Sequence, residues 1–150
     1  MTNTDASSTR GFDPWGIVFG FFAAGNLANG FWMLADPAHW YVNLPANVPG
    51  TGPLNEHFIR DIGCIFSLIG IALAVAAFKP RFRLTALLLA TGFYVAHALV
   101  HVYDSARDYL PEGQWRYDIG PVYGTAALLV VLTVWLARTQ GQSSSRGNNG

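Results

Sequence analysis

The stretch EHFIRDIGCIFSLIGIALAVAAF, residues 56–78, decides the fold. From residue 62 to 78 its only polar side chains are Cys64 and Ser67. A helix in a water-soluble bundle keeps one polar face, and this run keeps none. At 1.5 Å per residue, about 20 such residues cross a hydrocarbon core of about 30 Å. With 58–78 as its spanning part, the run has three counterparts, at residues 15–35, 84–103 and 119–137. The four predict an all-α fold: one four-transmembrane-helix bundle over residues 14–139. Residues 1–13 read as a flexible tail, and the Gly/Ser/Asn-rich stretch 140–150 reads as disordered.

Composition agrees. Of 150 residues 51% are hydrophobic and 12% charged, about half the charged share of a soluble domain. The formal net charge is zero and no basic tract is present, which excludes a nucleic-acid partner. The single cysteine, Cys64, gives neither a disulfide nor a CxxC motif and reads as packing. The first run is too long for a signal-peptide core and lacks a basic n-region, so it reads as a retained span.

Cations set the expected orientation. The turn KPRFR carries Lys79, Arg81 and Arg83, and Arg10 and Arg138 flank the same side. The loop between the first two runs, DPAHWYVNLPANVPGTGPLN, has no Lys or Arg, and its Trp40 and Tyr41 read as interfacial anchors. Both termini are therefore expected in the cytoplasm. Arg107 and Arg116 run against this, and neighbouring carboxylates are expected to pair with them.

Ionisable residues near the other ends of these runs point to a site, because they are costly there. His57, Arg60 and Asp61 fall at i, i+3 and i+4 in EHFIRD. His97, His101 and Asp104 fall at i, i+4 and i+7 in HALVHVYD. Each set lines one helix face. Glu56 opens the second run, Asn26 and Asn29 lie in the same half of the first, and Tyr94 continues the stripe of the third. The expectation is a polar pocket on the outer side, reaching about 9 Å down to His97. Cys64 and Ser67 are expected to continue its inward stripes. Asp118 reads as a cap of the fourth run, with Pro121 in its first turn, and His39 reads as an inert loop residue.

Four chemistries suit this set. A divalent metal, Zn or Fe, would be held by His97, His101, Asp104 and Glu56. Metal-free acid–base chemistry on a lipid-like or quinone substrate would use Asp61 and His57, with Arg60 on an anionic head group and Asn26, Asn29 and Tyr94 contacting the substrate. Haem would be held between His57 and His97 or His101. The fourth reading is an accessory subunit whose polar residues only bind its helices together. Glycines spaced GxxxG, Gly16 with Gly20 and Gly120 with Gly124, predict close helix contacts and offer faces for an oligomer.

The whole-chain layout resembles the small four-helix bacterial membrane proteins of the DoxX-like and related uncharacterised groups. The resemblance rests on length, on a Pro after the first helix (Asp36, Pro37) and on an RD–G pattern opening the second (Arg60, Asp61, Gly63). It implies the four-helix fold and a bacterial inner membrane. The thiol redox chemistry of some such relatives does not carry over, because no cysteine pair exists.

Overall fold

In a computed structural model, residues 12–147 are described, with side chains described as far as residue 141. The helices are α1 (Pro14–Ala35), α2 (Pro37–Asn43), α3 (Glu56–Phe78), α4 (Arg83–Ala106), α5 (Trp115–Asp118) and α6 (Thr125–Gly147). Four helical stretches are long and apolar enough to cross a membrane: α1, α3, α4 with its preceding turn, and α5–α6 read as one. Large apolar side chains such as Phe21, Phe31, Leu68 and Val131 are exposed around them. In a bilayer that surface faces lipid. The protein is an integral membrane four-helix bundle.

Local signals set the helix ends. Asp13 caps α1, accepting from the Gly16 amide at 3.2 Å, with Pro14 in the first turn. Asp36 repeats the device for α2, accepting from the His39 amide at 3.0 Å, with Pro37 following. A short helix therefore occupies part of the expected loop. Its Trp40 is not an interfacial anchor: it is buried, and its Nε1 donates to Asn29 Oδ1 at 2.9 Å. His39 is likewise engaged, its Nδ1 accepting from Trp32 Nε1 at 3.0 Å.

The fourth span departs most from expectation. Helix begins at Trp115, so Pro121 lies inside it rather than in its first turn. Proline has no N–H to donate, and the chain widens into a π-helical turn over Ile119–Gly124, where the Thr125 amide reaches back to the Gly120 carbonyl. At the far end α6 runs on to Gly147, into the stretch expected to be disordered. No proline follows Pro121, so nothing removes a backbone donor there. Of the tail expected over residues 1–13, residues 1–11 lie outside the described residues, as do 148–150, while Asp13 is held by its bonds to the Gly16 amide and Arg83.

Close packing is concentrated between α1 and α3. A Cβ on Gly30 would come within 2.8 Å of the Gly63 carbonyl oxygen and of the Ser67 amide nitrogen. A Cβ on Gly63 would meet Met33 Cβ at 2.9 Å, and one on Gly70 would meet the Leu27 backbone nitrogen at 2.9 Å. Lipid tails are as apolar as leucine, so such helices associate through contact rather than through exclusion from water. The predicted GxxxG contacts are not where the helices meet. Gly20 and Gly120 face open space, and Gly124 abuts only the Ile119 carbonyl of its own segment. Gly16 alone approaches a neighbour, the Ala77 carbonyl at 3.3 Å. Across α4 and α6, the Thr91 and Thr133 hydroxyls lie 2.7 Å apart.

The end of the bundle holding the start of α1 and the α3–α4 turn is pinned by Arg83. It is buried, donating to the Ala76 carbonyl at 3.2 Å and to both carboxylate oxygens of Asp13. Arg83 holds the Asp13 carboxyl below its ordinary value, chiefly through that side-chain hydrogen bond. One of the three cations of the basic turn is thus a structural tie. Trp15 and Trp135 lie beside each other at this end, with ring centroids 5.2 Å apart. The buried core fills this half with Phe19, Leu73, Leu87 and Leu129. The opposite half is less completely filled.

Candidate functional site

At that opposite end a cavity of about 480 Å³ opens between α1, α3, α4 and the π-helical turn. Its apolar wall includes Met33, Trp40, Leu44, Ile62, Phe66 and Val122, and its polar lining includes Asn29, Tyr94, His97, His101, Asp104 and Asp118. Size and composition are those of a small-molecule pocket, largely apolar with a few converging polar groups.

The polar residues form two layers. In the deeper layer Tyr94 donates from its hydroxyl to Asn26 Oδ1 at 3.1 Å, and Asn26 donates to the Phe22 carbonyl at 2.8 Å. Asn29 is fixed by Trp40. His97 stacks on Phe93, with planes 3° apart and centroids 6.0 Å apart, and meets His101 edge-on at 4.7 Å. In the upper layer His101 Nδ1 lies 2.8 Å from Asp118 Oδ2. The other oxygen of Asp118 accepts from Gln114 Nε2 at 3.0 Å. With both carboxylate oxygens accepting, Nδ1 carries the imidazole hydrogen and Nε2 has no protein partner among the described residues. Gln114 continues the chain, donating to the Ala46 carbonyl at 3.0 Å and accepting from Asn47 Nδ2 at 2.8 Å. The chain joins the two loops at this end to the site.

Asp118 is therefore no helix cap. It is 1% exposed, makes no capping bond, and is the buried partner of His101. Gln114, also buried, was not anticipated. Its signal is the i, i+4 spacing to Asp118, hidden because hydropathy and Pro121 point to a helix start near residue 119.

The second half of the expected site lies elsewhere. Glu56, His57, Arg60 and Asp61 do not line the cavity. Arg60 pairs with Glu56 at 3.0 Å and His57 with Asp61 at 3.5 Å, and the His57 and Asp61 side chains are 90% and 60% exposed. The reason is angular. The close contact with α1 turns the Gly63 face inward, and Asp61 lies about 200° around the helix from it. Ile62 and Phe66 reach the cavity instead. Cys64, one turn along from Asp61, is exposed as well, and Ser67 faces α1 with its hydroxyl donating to the Gly63 carbonyl at 2.8 Å.

These placements bear on the cofactor expectations. Among the described residues no three His, Cys, Asp or Glu side chains are grouped so as to hold a metal ion. Glu56 lies outside the cavity that His97, His101 and Asp104 line, and His101 meets Asp118 through Nδ1. His57 is turned away from His97 and His101, so the pair expected to grip haem is not assembled. Arg107 and Arg116 pair with no carboxylate among the described residues; they lie against rings, Arg107 at 5.7 Å from Tyr103 and Arg116 at 5.6 Å from Trp115.

The chain matches no family model, no curated protein and no solved structure. No family match supports the DoxX-like resemblance; what stands is a small protein of four long apolar helices.

Proposed function

We propose that the cavity binds a small amphiphilic molecule of the bilayer, lipid-like or quinone-like, and that His101 is its acid–base group. The observation that carries this reading is the His101–Asp118 pair at the cavity wall. A buried carboxylate fixes the tautomer and orientation of an imidazole whose second nitrogen is free, the arrangement used where a histidine passes protons at near-neutral pH. The apolar wall suits an alkyl or ring body, while His97 and Tyr94 offer hydrogen bonds to a polar head. Metal-dependent chemistry finds less support, since no group of three His, Cys, Asp or Glu side chains able to hold an ion forms among the described residues. Lys79 and Arg81 at the opposite end favour a cytoplasmic location for both termini, with the cavity on the outer side. The DoxX-like layout favours a bacterial inner membrane.

Photolabelling tests the reading. With a diazirine analogue of dodecanol on protein in an uncharged detergent, labels are expected on Trp40, Phe66 and Tyr94, removed by excess dodecanol. Labels confined to outward residues such as Leu68 and Val131 would overturn it.

A further inference from the structure

We infer that the cavity selects a lipophilic cation, an amine or ammonium carried on an apolar body, over anionic or neutral amphiphiles. The inference rests on the pocket reading above and narrows its ligand.

Charge is the first ground. No Lys or Arg lines the cavity, while two carboxylates do. The cations nearest in sequence are engaged elsewhere: Arg60 with Glu56, and Arg107 and Arg116 against exposed rings. An anionic head group would therefore meet two carboxylates and no Lys or Arg, with His101 already paired to Asp118. The two carboxylates also differ. Asp118 has both oxygens occupied, by His101 and Gln114. Asp104 is half-buried, and its carboxylate has no hydrogen bond or ion pair among the described residues. A half-buried carboxylate without a partner at the edge of an apolar cavity is costly unless a cation joins it.

The walls are the second ground. Trp40, Phe66 and Tyr94 line the same space. Phe66 and Tyr94 form a deep apolar seat for a long alkyl or ring body, and the Trp40 ring offers an ammonium a face, more attractive once water is excluded. The free Nε2 of His101 adds an acceptor for an N–H of the ligand. Asp104 would supply the counter-charge at the mouth, while Phe66 and Tyr94, about 15 Å deeper along the bundle, would seat the apolar body together with Met33 and Ile62.

Competition for the dodecanol photolabel separates the two claims. Dodecylamine is expected to protect Trp40, Phe66 and Tyr94 at about ten-fold lower concentration than dodecanol, with dodecanoate weakest. Asp104→Asn should bring dodecylamine to the level of dodecanol and leave dodecanol unchanged, which also shows that the variant keeps its pocket. Asp61→Asn, on the exposed charged face, should keep the amine preference. Equal protection by all three compounds, a preference for dodecanoate, or an amine preference abolished by Asp61→Asn and not by Asp104→Asn would overturn the cation while the pocket stands. Failure of every compound to protect these residues would overturn both.

Discussion

Replacing Asp118 with leucine is expected to destabilise the bundle by about 3–5 kcal/mol, because it leaves a buried imidazole and a buried amide without their shared acceptor. His101 Nδ1 and Gln114 Nε2 both depend on Asp118, and Gln114 in turn holds the Ala46 carbonyl and Asn47. The loss should reach beyond one bond, loosening the loop of Asn47 over the cavity. Asp61→Leu, in the same half of the bundle but in an exposed pair, should change stability by about 0–1 kcal/mol. Thermal unfolding in one detergent compares them directly. Equal losses would mean that Asp118 is no more buried in function than Asp61.

The second large effect is steric. Gly30→Ala should cost about 1–3 kcal/mol or more, because the new methyl would lie 2.8 Å from the backbone of α3, which cannot turn aside as a side chain does. Gly20→Ala, in the same helix, meets nothing within 4 Å and should be neutral or stabilising by up to about 1 kcal/mol. Unfolding of the two variants in detergent decides whether α1 docks through its Gly30 face. A larger loss from Gly20→Ala would place the contact on the GxxxG face instead.

These variants also mark what the sequence revealed. The spans were legible because hydropathy and length act locally. The His97–His101–Asp104 stripe and Tyr94 were legible because they share one face of one helix, and that face turned inward. The same logic failed for His57 and Asp61, since periodicity groups residues on a face without saying which way it points. A direction was available from Gly63 and Gly70, which mark the side where another backbone comes close. Asp118 reads as a cap, and Gln114 goes unnoticed, because Pro121 suggests a helix start, whereas the chain absorbs it in a π-helical turn. Arg83 shows a similar limit: charge counting along the turn ignored that one cation folds back onto Asp13.

Ring-nitrogen NMR of isotope-labelled histidines, recorded while dodecanol is added in detergent, tests the central claim most directly. The chain has four histidines. His97 and His101 line the cavity, while His57 is exposed on α3 and His39 is bound to Trp32. The expected result is saturable movement of the His97 and His101 signals, with those of His39 and His57 fixed. Movement of His57 with His97 and His101 unmoved would contradict the site.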